Sequence, residues 1–441
     1  MLFKQNKYVM KISVLSVFPD LYQQFLQTSL IKRAQEKDKI SFEVCAFSSF
    51  CEPKERIDGP AAGHGAGMVI RPEVLERAVN RQEAKHGKAY RIFLTPQGKK
   101  LDQRLAKKIA QHMIAQNHTM FVAGRYEGID ERAQEAYCDL EVSIGDYVLM
   151  GGDLPAMVLL EAVLRYVPGV VAKDDSVEQD SFSGPFVDHP TYTTPPRVWN
   201  DRAIPEVLLS GNHAAMEQWR LEKAAEKSVY GHFAWVREHC QTEQEIDLVK
   251  KYIPAHYAVL MHDQVMVNGA VGTSSVTSID IHDIARSART YGLQEYGIVT
   301  PLQDQKKIVE TILGFWHTAG IAYNYNRADA VGKVSVHDSL NAFIVHVKHK
   351  EGQEPVIIAT SAKRCEGIPF ISYHDQAVVW GLKRPVIFIF GTAQGLSHEL
   401  IERCDYLLGP IEGFSDFNHL SVRSAAAIIF DRWLGRNFAS Q

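Results

Sequence analysis

The six cysteines, Cys45, Cys51, Cys138, Cys240, Cys365 and Cys404, show neither paired spacing nor a C-x-x-C. That removes a disulfide-stapled scaffold and points to free thiols in a reducing compartment. No apolar stretch reaches the ~18 residues a membrane-spanning helix needs. No G-x-G-x-x-G follows a strand and opens a helix, and no G-x-x-x-x-G-K-[ST] occurs, so dinucleotide and P-loop readings are weak. The run HELIE at 398–402 has no second His in H-E-x-x-H register, which favours a surface helix over zinc. Positive charge is not in excess either. Forty-eight Lys and Arg stand against 52 Asp and Glu, a net of −4, so any polyanion must be met by a local patch.

What is present is an ordinary globular mixture: 441 residues, 46% apolar and 23% charged, enough for two to four cores. Lys4, Lys7 and Lys11 precede the apolar run Ile12 to Phe18 and so mimic a short secretory signal. The run is β-branched, contains Ser13 and Ser16, and stops at Pro19-Asp20 without a small-residue cleavage site, so it reads as a strand in a cytoplasmic protein.

Strand-like runs at 9–18, 90–95 and 120–124, with a helical pattern at 101–117 between the last two, imply a parallel α/β sheet. Residues 172–190 turn rich in Asp, Ser, Gly and Pro, as in a linker or functional loop. A helical stretch follows whose start is marked by Asn212, a good N-cap, and beyond Pro254 the α/β pattern returns. The two α/β regions share ordered features: Thr95 with Thr360, Gly124 with Gly391 and Gly145 with Gly409, at offsets of 265, 267 and 264. So constant a shift argues for two copies of one architecture.

Glycine-rich loops at the carboxyl ends of parallel strands let a ligand approach the backbone closely. Glu127 and Asp146 lie in such loops. GHGAGM at 63–68 follows a charged stretch, and composition alone does not fix its purpose. Asp180 stands among several acids, where a hydrated loop is the plain reading. Arg165 lies on an apolar helix, where a charge needs a partner or a polyanionic ligand.

The blocks SVFPD, GHGAGM, TPQGKKLDQ, GRYEGIDER, SIGDYVLMGGDLPAM, RYVPGV, EQDSF, PTYTTPP and VLLSGNHAAMEQWR, in this order over residues 9 to 250, closely resemble the bacterial TrmD-type tRNA (guanine-1-) methyltransferases. The resemblance implies an α/β fold: a trefoil-knotted SPOUT domain with a mostly parallel sheet at 8–171, a flexible active-site linker at 172–188 and a helical tRNA-binding domain at 189–250. It also implies a homodimer with its active site at the subunit interface, and methyl transfer from S-adenosylmethionine to ring nitrogen 1 of guanine 37 of tRNA, just 3′ of the anticodon. Asp180 would take the ring proton and Arg165 would oppose charge on the guanine oxygen. Thr95, Pro96 and Gln97, then Gly124, Glu127 and Gly128, then Ile144, Gly145, Tyr147, Leu149, Gly151, Gly152 and Pro155 would hold the cofactor, with magnesium as an assistant in the family. Residues 1–171 carry 23 Lys and Arg against 20 Asp and Glu, and KKLDQRLAKK at 99–108 concentrates five cations against one acid, so local steering of tRNA is open to this chain. The loop before GAGM reads GPAAGH, where the family commonly has a Pro-Tyr-Gly-Gly-Gly-like stretch.

Residues 255–437 look like a second SPOUT-like knot domain, similar to a group of RNA methyltransferases without an assigned substrate. FGTAQGL and GPIEGFSDFNHLSVRSAAAI resemble the second and third motifs of knotted ribose 2′-O-methyltransferases, and IARSARTYG the first, which places Arg286 at that motif's arginine. Asp280 and His282 stand where the pattern has Asn and Gly. The resemblance draws a cofactor pocket from Thr360, Ser361, Gly391, Gly395, Leu408 and Leu420. The acceptor stays open: this domain is an RNA methyltransferase of unknown substrate, a 2′-O-ribose enzyme or a catalytically silent RNA-binding module.

Overall fold

The computed structural model describes residues 9–65, 67–171 and 180–437. The chain divides into two compact units, Met1–Ser183 and Gly184–Gln441.

Unit 1 is built on five parallel strands, β1 (Met10–Ser16), β2 (Ile40–Ala46), β3 (Tyr90–Lys100), β4 (His118–Ala123) and β5 (Leu140–Ser143), in the order β2-β1-β4-β3-β5. The alternation read from the sequence is thus a parallel sheet. Helix α1 (Pro72–His86) packs on one face through Val74, Leu75, Ala78 and Val79. Helices α2 (Gln103–Gln116) and α3 (Asp153–Leu164) cover the other face. Asp102 starts α2 by accepting the Leu105 N–H, and Asn117, left-handed at φ 58°, ends it. α3 buries Ala156, Leu159, Leu160, Val163 and Leu164, while Leu154 and Val158 on its outer side stay exposed.

Unit 2 holds seven parallel strands: β6 (His256–Met261), β7 (Glu295–Val299), β8 (Val334–His337), β9 (Val356–Thr360), β10 (Phe370–Ile371), β11 (Val386–Gly391) and β12 (Tyr406–Leu408). Their order is β8-β7-β6-β11-β9-β12-β10. Its middle five, β7-β6-β11-β9-β12, repeat the path of β2-β1-β4-β3-β5, and β8 and β10 extend the two edges. The repeat inferred from three paired residues is therefore carried by strand order. All six residues of β6 are buried, as a strand covered on both faces requires.

Three helices precede this sheet: α4 (His213–Gly231), α5 (Phe233–His239) and α6 (Glu243–Lys250). Asn212 caps α4 through the Ala215 N–H, as read from the sequence, and Thr242 with Glu245 forms a capping box on α6. The sequence suggested a helical domain at 189–250 set apart from 255–437. In the structure Val229, Phe233, Val236, Cys240 and Val249 share one core with Trp380, Phe388 and Trp433, and the Phe233 and Trp380 rings meet edge-on at 4.6 Å. The apolar sides of these helices are covered by the α/β layer, which completes their core. The boundary of the first unit falls at Ser183, inside the expected linker, whose residues 172–179 lie outside the described residues.

Later in the chain come α7 (Ser278–Thr290), α8 (Gln303–His317), α9 (Leu340–Glu351) and α10 (Val422–Leu434). Arg237 on α5 donates to the carbonyls of Asp431 and Arg432 at 2.9 and 2.7 Å, satisfying the exposed end of α10.

Candidate active site

At the carboxyl ends of β3, β4 and β5, three loops of unit 1 enclose a cavity of about 240 Å³. The first loop arises because the register of β3 on β5 slips between Leu94 and Lys99. Residues 95–98 stand out of the sheet, and Thr95 and Pro96 face the cavity. Gly98 is required there, since a Cβ would lie 2.4 Å from the Val142 nitrogen. Gln97, assigned to the cofactor by resemblance, stays in this bulge and does not line the cavity.

The second loop, Gly124–Gly128, is a tight turn with Tyr126 left-handed at φ 60° and the Gly128 N–H donating to the Arg125 carbonyl at 3.0 Å. A short hairpin, Asp58–Pro60 with Met68–Ile70, clamps it from outside: Glu127 N–H donates to the Met68 carbonyl at 2.9 Å and Ile70 N–H to the Gly128 carbonyl at 3.0 Å. This explains GHGAGM, whose Gly67 lies so close to the Glu127 side chain that a Cβ would sit 2.5 Å away. The third loop returns behind the second. Gly152 N–H donates to the Gly124 carbonyl at 2.7 Å, and a Cβ on Gly152 would meet the Ala123 Cα at 2.9 Å. Gly124, Glu127, Gly128, Ile144, Gly145, Tyr147, Leu149, Gly151, Gly152 and Pro155 all line the cavity. Asp146 instead pairs with Lys100 at 2.6 Å and is largely solvated.

Two residues that sequence reasoning passed over tie these loops together. Arg125 donates from Nη1 to the Met150 carbonyl at 2.9 Å, lays its guanidinium 4.6 Å from the Phe18 ring, and brings Nε within 3.7 Å of Asp153 Oδ2. Asp153, 2% exposed at the start of α3, accepts from Ser16 Oγ at 2.5 Å and Tyr22 Oη at 3.2 Å. Burial first, and the Asp153 charge second, push the Tyr22 phenol above its ordinary range. A lone acid opening an apolar helix in GGDLPAM was the available signal.

The two candidate catalytic side chains are brought together. Arg165, the residue that ends α3, donates from Nη2 to Asp180 Oδ2 in a pair that solvent reaches on both sides. Neither lines the cavity of its own chain.

In unit 2 the loop Gly391–Gly395 reproduces the first unit's turn. Ala393 is left-handed at φ 54°, Gly395 N–H donates to the Thr392 carbonyl at 2.9 Å, and a hairpin, Val265–Val267 with Ala270–Gly272, clamps it through Gln394 N–H to the Met266 carbonyl at 3.0 Å. Thr360 and Leu408 end β9 and β12 at the same sheet edge, with Ser361 next in the chain. Arg286 is exposed on α7, and Leu420 is exposed just before α10. Among the described residues no group of three or more His, Cys, Asp or Glu could hold a metal, and His398 pairs with Glu402 on a five-residue helix.

Comparison with known proteins gives two family matches. A model described as tRNA (Guanine-1)-methyltransferase TrmD covers residues 10–233, and one described as SAM-dependent RNA methyltransferase covers residues 255–435. The tRNA (guanine-N(1)-)-methyltransferase of Nitratidesulfovibrio vulgaris is 34% identical over 97% of this chain and 99% of its own length. That of Bacillus subtilis is 39% identical over 54% of this chain and 96% of its own. A crystal structure of tRNA (m1G37) methyltransferase from Aquifex aeolicus aligns at 31% identity over 48% of this chain and 87% of that one, with a TM-score of 0.40.

Proposed function

Since the chain belongs to the TrmD family of tRNA (guanine-1)-methyltransferases and carries a second S-adenosylmethionine-dependent RNA methyltransferase domain, we propose that unit 1 methylates nitrogen 1 of guanine 37 in tRNA. The carrying observation is that the same unit holds both the Arg165–Asp180 pair and a glycine-walled cavity.

S-adenosylmethionine, when bound, supplies an electrophilic methyl group. The cavity suits it: Gly124, Gly145, Gly151 and Gly152 leave backbone amides and carbonyls bare, and no phosphate-binding device is needed. Guanine nitrogen 1 carries a proton in the neutral base, and Asp180 takes it as the nitrogen becomes nucleophilic. Arg165 holds the Asp180 carboxylate in the free protein and, with guanine bound, opposes the negative charge gathering on its oxygen. Because the pair does not line the cavity of its own chain, it serves best in the cavity of a second copy, as in a homodimer with the site at the interface. A trefoil crossing accords with the third loop passing behind the second at Gly152. The helices at 189–250 contact the tRNA, and a tRNA substrate implies a cytoplasmic enzyme. Magnesium, suggested by resemblance, finds no cluster of three or more His, Cys, Asp or Glu ligands among the described residues.

The test is Asp180→Ala in the full chain, assayed with tRNA bearing guanine 3′ of the anticodon and with the same tRNA carrying adenine there. The expected outcome is a loss of about 100-fold or more on the first substrate and no methylation of the second. Full activity in the variant would remove the base.

A further inference from the structure

Unit 2 carries a group of titratable side chains that neither its core nor its cofactor turn absorbs. It lies where the amino ends of α7 and α10 meet, beside the carboxyl end of β6. Asp280, the third residue of α7, accepts from Thr277 Oγ1 at 2.6 Å and faces Arg423 Nε at 3.3 Å. The same guanidinium reaches Asp283 from Nη1 at 3.2 Å. The side chains of Asp280 and Arg423 are 14% and 37% exposed, so a ligand can reach the pair from solvent.

Within reach of the Asp280 charge lie two fully buried side chains with hydrogen-bonding capacity unused: His262 Nε2 and Tyr296 Oη have no partner. The state of His262 follows from a chain of donors. Thr392 Oγ1 donates to the Met261 carbonyl at 2.8 Å, so at 2.5 Å it accepts from Ser274 Oγ. Ser274, its proton committed, accepts from His262 Nδ1 at 3.0 Å. His262 is therefore the Nδ1–H tautomer with a bare lone pair on Nε2. Burial, opposed by Asp280 and the Ser275 backbone, pushes the imidazole down to about 4, so it stays neutral at neutral pH. Thr392 is the second residue of the turn Gly391–Gly395, so this chain of hydrogen bonds ties His262 directly to that loop.

We infer that this cluster receives the methyl acceptor of unit 2, with Asp280 as proton acceptor and Arg423 as the counter-charge, and that the acceptor is an RNA base with a ring N–H. The inference rests on unit 2 being an S-adenosylmethionine-dependent RNA methyltransferase. Carboxylates are weak bases, so the proton removed must itself be acidic. The imide or amide N–H of a uracil or guanine meets that condition far better than a ribose hydroxyl. The ring nitrogen forms its bond to the methyl carbon as the sulfur–methyl bond of S-adenosylmethionine breaks. The ring proton passes to Asp280, and the sulfur leaves as a neutral thioether.

The experiment uses the full chain, S-adenosylmethionine labelled in its methyl group, and bulk RNA from cells depleted of the protein, followed by nucleoside mapping, with the product of unit 1 as internal reference. The wild type is expected to bind two S-adenosylmethionine per chain and to yield a second product methylated on a ring nitrogen. Asp280→Asn should lower that product about 100-fold or more with two cofactors still bound, which also reports a folded unit. Asp280→Glu should recover part of it, and Arg423→Ala should lower it where Arg423→Lys lowers it less. A second product on ribose, an unchanged second product in Asp280→Asn, or no second product from a wild type that binds two cofactors would each overturn the inference. A wild type that binds only one cofactor would instead overturn the reading of unit 2 on which it rests.

Discussion

In unit 1 the residue after the turn's first glycine is Arg125, which reaches across to Met150 in the third loop. In unit 2 the same place holds Thr392, whose hydroxyl donates to the carbonyl of its strand neighbour Met261 and accepts from Ser274. The backbones agree in strand order, in the left-handed third residue and in the clamping hairpin, yet the side chains hung on that frame differ in charge and reach. Glu127 becomes Gln394, and the carboxylate proposed to meet an acceptor comes from after α3 in unit 1 (Asp180) but from α7 in unit 2 (Asp280). On the proposed reading, the shared backbone of the turn serves the cofactor while each copy draws its acid–base groups from whatever elements surround it.

The sharpest way to break this equivalence is to add one methyl group at a tightly packed loop glycine in each unit. Gly152→Ala would meet the Ala123 and Gly124 backbone, and Gly391→Ala the Leu396 nitrogen at 2.5 Å. Each should cost about 3 kcal/mol and remove cofactor binding from its own unit alone, so calorimetric titration should fall from two sites to one. A response of both units to either change would end the idea of independent cradles.

Next in size is Asp153→Ala, which strands Ser16, Tyr22 and Arg125 around a buried void. A loss of about 2 kcal/mol is expected, read by denaturant unfolding of unit 1, with a weaker affinity for S-adenosylmethionine there. Unit 2 has no acid at the start of α10 and should keep its own transition.

Acid should separate the units further. Among the described residues burial lowers the proton affinity of His118 in unit 1, but of His189, His256, His262 and His337 in unit 2. His256 is the clearest case: its Nε2 accepts from the indole N–H groups of Trp380 and Trp433 at 3.2 and 3.0 Å, and burial holds it down to about 4. An unfolded histidine titrates near 6.5, so between about 6.5 and 4 the unfolded chain binds more protons. The stabilisation is complete above that window and is lost as pH falls through it, by up to about 1.4 kcal/mol per pH unit for each such group. Thermal scans from pH 7 to pH 5 should move the transition of unit 2 more than that of unit 1.

The smallest effect belongs to Glu127→Gln, which makes the first turn resemble the second. Glu127 is exposed, so screening limits its pull on a cationic cofactor, and a weakening of about threefold is expected. Binding at unit 2 should not change.

The frame was legible in the sequence because inner strands of a parallel sheet read as short apolar runs, and because glycine marks positions where a Cβ has no room, as at Gly152 and Gly391. Most of the cofactor residues named by resemblance line the cavity for that reason, with Gln97 as the exception. Arg125 was not legible, because its importance comes from a contact between loops far apart in sequence, which leaves no periodic trace, and Asp153 left only the signal of a lone acid opening an apolar helix. The placement of α4–α6 was missed for a related reason. Their apolar stripe is visible, but a stripe does not say what covers it.

That shared core has a practical corollary for anyone dividing the gene. Ending translation near residue 250 would leave Val229, Phe233, Val236 and Val249 bare to water, and such a fragment is expected to clump on expression. A cut at Ser183 keeps that greasy seam closed inside the downstream product.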